Sequence, residues 1–232
     1  MTLSARLPYI ERKNIREGEI EDGEAEAHLH GDSKGFGDLL MMAHYRLVEQ
    51  DDTNIALQFG IKAPTGETDV KDDAGLKFET EFQPGSGAWD FLLGAAVGTQ
   101  HGKFGYHANI LYNYTTEGSQ DTEIGDVLSY NAALSYRLNS HDHAGHEHGA
   151  EHTDASWDLL LELNGETRQK NEIAGESQDN SGGTTIYLSP GARLSMGRFS
   201  GFLSLGFPIV EDQNGTQTDI EHRILAGISL TL

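Results

Sequence analysis

Apolar and polar residues alternate with a period of two along most of the chain, in segments of about ten residues parted by Gly, Asn and Asp clusters. In 54–63, Ile55, Leu57, Phe59 and Ile61 share one face, and Ala56, Gln58, Gly60 and Lys62 the other. In 104–114, Phe104, Tyr106, Ala108, Ile110, Tyr112 and Tyr114 oppose Gly105, His107, Asn109 and Asn113. Leu128, Tyr130, Ala132, Leu134, Tyr136 and Leu138 alternate with Ser129, Asn131, Ala133, Ser135 and Arg137. Trp157, Leu159, Leu161 and Leu163 oppose Asp158, Glu162 and Asn164. The pattern predicts strands over 2–9, 37–48, 54–63, 87–98, 104–115, 128–138, 156–166, 184–195, 200–209 and 220–231. Segment 76–83 also alternates but reads as part of a long loop approaching the next strand.

The connections differ systematically in length. Short ones fall at 49–53, 99–103 and 196–199, long ones at 10–36, 64–86, 116–127, 167–183 and 210–219. Tight turns at one end and larger loops at the other are the pattern of a membrane barrel. A β-sandwich has the same alternation within strands but no reason for this alternation between them. The expected fold is therefore all-β: an antiparallel up-and-down transmembrane β-barrel, a single domain over 1–232, with about ten strands in this chain. Trp89, Tyr112, Tyr114, Tyr130, Tyr136 and Trp157 sit near predicted strand ends, where an interfacial girdle belongs. Ordinary β propensity would also put them in strands.

Composition narrows the classes. The chain has 232 residues, a net charge of -21 and no cysteine. The acidity excludes a nucleic-acid partner, which needs a basic face. The missing cysteine excludes disulfides and thiolate metal sites. No run approaches the roughly 20 apolar residues of a membrane helix, whereas alternating barrel strands dilute the apolar signal. The first ten residues, MTLSARLPYI, show no basic region leading into an apolar one, so no signal peptide is read there. There is no GxSxG and no P-loop, so no catalytic residue is assigned and no enzyme is expected.

Several motifs occur in a particular order: APTGETD (63–69), FQPGSGAWDFLLG (82–94), LLLELNGETR (159–168), NSGGTTIYLSPG (180–191) and FPIVEDQNGTQ (207–217). This order resembles the outer-membrane barrels of the MetA-pathway of phenol degradation family, often labelled transporters. The resemblance implies a Gram-negative outer-membrane location, with lipid and lipopolysaccharide as surroundings. It also implies passive uptake or passage of small molecules, hydrophobic or aromatic by the family's name. In that family a signal peptide and about two strands precede the segment that LSARLPYI resembles. The expectation is an N-terminally truncated chain from a parent of about twelve strands. Pro64 and Gly66 read as strand terminators, and 83–87, 180–183 and 214–215 as turn formers.

The alternation selects a lumen-lining set: His44, Arg46, Gln58, Lys62, Asp90, His107, Asn109, Asn113, Asn131, Arg137, Glu162, Asn164, Arg193, Glu221 and Arg223. Charges of both signs there can pair across a narrow barrel or line a polar path. His222 falls on the lipid side of the predicted last strand. A His-rich insert at 140–153, SHDHAGHEHGAEHT, carries His141, His143, His146, His148 and His152 in a turn at the short-connection end. Imidazole with carboxylate suits Zn, Ni or Cu, so a divalent metal is a possible but not obligatory cofactor. The acidic stretch 17–32 reads as a solvated loop or a collector of divalent cations. Two other functions stay open: an envelope metal-binding protein using the His-rich loop, and a soluble β-sandwich binding module. The oligomeric state is not fixed by the sequence.

Overall fold

The computed structural model describes residues 1–21, 24–50, 52–138 and 155–231, with side chains described except at 17–28. The strands are β1 (Thr2–Arg6), β2 (Tyr9–Glu21), β3 (Glu24–Phe36), β4 (Leu39–Gln50), β5 (Thr53–Ala63), β6 (Asp90–His101), β7 (Phe104–Tyr114) and β8 (Thr122–Glu123). They continue as β9 (Val127–Arg137), β10 (Ala155–Arg168), β11 (Glu172–Ile173), β12 (Glu176–Ser177), β13 (Gly183–Met196), β14 (Phe199–Gln213) and β15 (Arg223–Leu230). A ten-stranded sheet runs β1-β4-β5-β6-β7-β9-β10-β13-β14-β15. Its pairings are antiparallel, and each long strand lies beside the one before it. This is an up-and-down barrel sheet. It is not closed: β1 and β15 are its two edges.

Registry turns the alternation into two faces. Phe59 pairs with Leu93, Leu93 with Tyr112 and Tyr112 with Leu128, a continuous apolar row. Three residues along, on the opposite face, lies a polar row: Asn109 faces Asn131, which faces Asn164. Burial then runs opposite to that of a water-soluble fold. Among the described residues the buried set includes Gln58, Asp90, Ser135, Asp158, Ser189 and Ser204, whereas Phe91, Leu93, Leu159, Leu161 and Leu163 are exposed. Apolar side chains facing outward gain nothing in water but are at home in hydrocarbon. The height agrees. On β7, Phe104 and Tyr114 bound ten steps of about 3.4 Å, and a tilt of about 40° makes that about 26 Å of depth. A bilayer barrel carries an apolar band about 25 Å tall between aromatic girdles.

Chain connectivity separates the two ends. Tight turns join β4 to β5, β6 to β7 and β13 to β14, and β9 ends and β10 begins at that same end. At the opposite end stand the long connections and a two-stranded sheet of β2 and β3. This hairpin corrects the expectation of a loop over 10–36. It prolongs β1 and β4 past the apolar band, with a break at Pro8 and Gly37, where Gly37 N–H donates to Pro8 O at 2.9 Å. One face of β3 packs against the β5–β6 loop through the small residues Gly31, Ser33 and Gly35, so the hairpin shows no apolar alternation to read. Within 76–83 no strand forms: Lys71 and Lys77 make an isolated bridge, and Thr80–Phe82 is a short 3-10 turn. The alternation there serves loop packing, with Phe78 only 3% exposed. The last strand begins at Arg223 rather than at 220, which leaves His222 in a loop instead of on a lipid face.

Candidate functional site: the concave face and its rim

The polar face is concave, as contacts between non-neighbouring strands demand. Arg223 on β15 donates to Asn164 Oδ1 on β10 at 3.4 Å, although β13 and β14 lie between. Ser204 on β14 reaches Glu162 on β10 at 3.4 Å across β13. Neighbouring strands stand about 4.8 Å apart, so a flat sheet would hold the first pair about 14 Å apart.

Three adjacent strands build an ion triad on this face. Asp158 on β10 is 2% exposed and stands between Arg137 on β9 and Arg193 on β13. Arg137 Nε donates to Oδ1 at 3.0 Å, and Arg193 donates to Oδ2 through Nε at 3.1 Å and Nη2 at 2.8 Å. Each carboxylate oxygen is thus engaged, which lets a buried charge persist.

A second network closes the rim at the long-loop end. Asp38 Oδ1 accepts Gly66 N–H at 2.9 Å, while Oδ2 accepts the Ser86 N–H and hydroxyl, each at 2.9 Å. One carboxylate thereby holds both ends of the loop that joins β5 to β6. Lys62 bridges Asp90 at 2.7 Å and donates to Ser86 Oγ at 2.8 Å, and Asn113 donates to Asp90 Oδ2 at 3.1 Å. At Gly66 and Gly85 the backbones touch: a Cβ on either would lie 2.7 Å from the other's backbone, so neither position admits a side chain.

The loop body is bound on several sides. Gln83 is 2% exposed and spans the loop, accepting Val70 N–H at 3.0 Å and donating to Val70 O at 2.9 Å and Phe78 O at 2.8 Å. Arg12 from the hairpin donates to Gln83 O at 3.2 Å, and burial lowers its pKa against the opposing pull of Glu81. On the far side Asn171 donates to Glu81 Oε2 at 3.0 Å. Asp126 accepts from Thr115 N–H at 2.8 Å and from the Tyr112 hydroxyl. Beside it, β8, β11 and β12 form a small sheet in which Glu123 pairs with Glu172. Burial, together with Glu172, Asp126 and Glu117, pushes the Glu123 carboxyl above its ordinary pKa.

Two cavities indent the concave side. One, of about 380 Å³, lies beneath the rim loop and is bounded by Arg6, Arg12, Asp38, Lys62, Asp90 and Arg168, among others. The other, of about 540 Å³, lies against β10, β13, β14 and β15, beside Asn131, Glu162, Asn164, Tyr187, Ser204 and Arg223.

Of the lumen-lining set read from the sequence, all but Glu221 occupy the same face by register: His44 and Arg46 on β4, Gln58 and Lys62 on β5, Asp90 on β6, and His107, Asn109 and Asn113 on β7. Asn131 and Arg137 follow on β9, Glu162 and Asn164 on β10, Arg193 on β13 and Arg223 on β15. Glu221 lies in the loop before β15, its side chain 89% exposed. The structure gathers Lys62, Asp90 and Asn113 in one network and Arg137 and Arg193 in another. Arg46 instead turns to Glu49, at 2.6 Å. His141, His143, His146, His148 and His152 lie outside the described residues. Sequence reasoning missed the rim residues Asp38, Gln83, Ser86, Asp126 and Asn171. Only the turn-like motifs around 64–66 and 83–87 hinted that chain segments converge there.

A sheet that is polar within and apolar without, at bilayer height, is the fold of a membrane-spanning β-barrel. Residues 14–217 match the family described as MetA-pathway of phenol degradation, and the chain belongs to that family. No curated protein matches it. Among solved structures it resembles an outer membrane channel from Pseudomonas putida F1, with a TM-score of 0.66 and 18% identity, over 99% of this chain and 78% of that one.

Proposed function

We propose that this protein is an outer-membrane channel of a Gram-negative envelope that lets small molecules pass down their gradients along a polar lumen. The observation that carries the reading is the reversal of burial, with Asp90, Asp158 and Ser189 turned inward and Leu159, Leu161 and Leu163 of β10 turned outward. Membership of the family and the likeness in fold to a solved outer membrane channel support it. The family and the fold neighbour favour the reading of a passage over that of an enzyme. Phenol-like or other hydrophobic and aromatic solutes are the permeants that the family's description suggests. Lipid and lipopolysaccharide are the surroundings that the convex face suits.

An open edge in hydrocarbon leaves ladder N–H and C=O groups unsatisfied, at several kcal/mol each. In this reading two further strands between β15 and β1 close the barrel, in keeping with a parent of about twelve. The test is reconstitution into lipid bilayers, with and without the strands that complete the barrel. Heat-modifiable gel mobility with discrete single-channel conductance is the expected result. A monodisperse protein that stays folded and soluble without detergent would refute the channel.

A further inference from the structure

On the concave face most charges arrive already paired. Asp158 is held by two arginines, Lys62 sits on Asp90, and Arg168 bridges Glu166 at 3.0 Å. The larger cavity breaks this rule. Of the four charged residues that border it, Glu166 and Arg168 satisfy each other, and Glu162 and Arg223 are left over. Among the described residues neither has an ion-pair partner. Glu162 takes one long hydrogen bond from the Ser204 hydroxyl, at 3.4 Å. Arg223 lies over the Tyr187 ring at 4.2 Å and reaches Asn164 Oδ1, which already accepts from Ser189 Oγ at 2.8 Å.

The two charges share one cavity and are kept apart by their anchors. Tyr187 stacks one face of the guanidinium and leaves its donor edge toward the cavity, where a carboxylate can be met by two parallel hydrogen bonds. Glu162 stands two residues from Asn164 on the same face of β10 and presents an acceptor-only group. Hydroxyls and amides from Ser129, Asn131, Ser189 and Ser204 fill the wall between them. A pocket with one free cation, one free anion and neutral hydrogen-bonding groups between them matches a ligand of the reverse pattern.

We propose that this cavity is a binding station for small zwitterions, solutes carrying one carboxylate and one ammonium group. Arg223 takes the carboxylate and Glu162 the ammonium. The inference rests on the reading of this face as a solute path and adds a class of solute to it.

The probes are β-alanine, propionate and propylammonium, titrated into the full chain folded in detergent micelles and followed by saturation-transfer NMR. β-Alanine is expected to bind saturably and at least about tenfold tighter than either singly charged probe. Glu162→Gln and Arg223→Gln should each remove that preference while heat-modifiable mobility is retained. The exchanged pair Glu162→Arg with Arg223→Glu should restore it, the ligand binding in reverse orientation. Equal binding of the three probes, or a preference indifferent to both single substitutions, overturns the proposal. Conductance of the same proteins in vesicles is read separately. A preserved preference without conductance sinks the channel and leaves the zwitterion site standing. Conductance without preference does the opposite.

Discussion

Placing a positive charge on the convex face at the middle of β10 tests the inside-out reading directly. Leu161 pairs with Leu134 on one side and Pro190 on the other, and it is 47% exposed. A rise of about 3.4 Å and a tilt of about 40° give about 2.6 Å of depth per residue. Leu161 then lies about 10 Å from Trp157, close to the middle of a band about 25 Å thick. An arginine on the lipid face costs about 2–4 kcal/mol at that depth and about 0–1 kcal/mol near the interface. Leu161→Arg should therefore shift the folding equilibrium in vesicles by about 30- to 700-fold. Thr167→Arg, on the same face six residues nearer the rim, should shift it at most about fivefold. The assay is denaturant titration of folding into phosphatidylcholine vesicles, read by gel mobility. If the convex face met water, exchanging a half-exposed leucine would stay within about 0.5 kcal/mol. Small and equal effects at both positions would refute the bilayer reading.

Other expectations concern charge. Asp158→Ala leaves Arg137 and Arg193 facing each other. The cost should be roughly 1–3 kcal/mol in the same titration, below that of a fully buried pair because both guanidinium groups are partly solvated; an effect no larger than for a surface substitution would count against the triad. The raised pKa of Glu123 means that the folded rim favours its neutral form. That contribution is complete below the ordinary carboxylate range and is lost as pH rises through the raised value. Amide exchange at 122–123 and 172–173, corrected for intrinsic rates, should therefore accelerate over that window, and Glu123→Gln should flatten the response; a slope of opposite sign refutes the assignment. Deleting 141–152 should abolish zinc and nickel binding by calorimetry without changing heat-modifiable mobility, since the stretch falls between β9 and β10 and belongs to neither; unchanged binding would end the metal reading of the histidines.

The strands of the sheet were legible because a membrane wall is the setting in which period two survives over whole strands. The row from Phe59 to Leu128 and its polar counterpart from Asn109 to Asn164 follow from parity alone, once the strands are in register. Above the membrane the rule lapses. The face of β3 that packs against the β5–β6 loop is made of Gly31, Ser33 and Gly35, which carry no apolar signal, so 10–36 read as a loop. At 76–83, read as part of a loop despite its alternation, Phe78 and Thr80 turn inward for loop packing while Leu76 stays exposed. The rim residues were out of reach because their partners lie far away in sequence. Asn171 meets Glu81 across ninety positions, and Asp38 meets Ser86 across forty-eight. Nothing adjacent to Asp38 distinguishes it from any other loop aspartate. The unpaired state of Glu162 and Arg223 was equally hidden, because it depends on which neighbours the other charges chose.

The clamp at Asp38 has a use for the experimenter. Because Gly85 N–H also donates to Glu67 O at 2.8 Å, the neck of the β5–β6 loop is closed independently of its tip. At the tip, Gly75 has a positive φ and nothing within 4 Å of where a side chain would begin. Added residues there enlarge a ring that is already tied, and lengthening a closed loop costs only about 0.6 kcal/mol per doubling. Gly75 is thus the natural port for an epitope or a fluorescent label, one that reports where this end of the barrel faces on an intact cell.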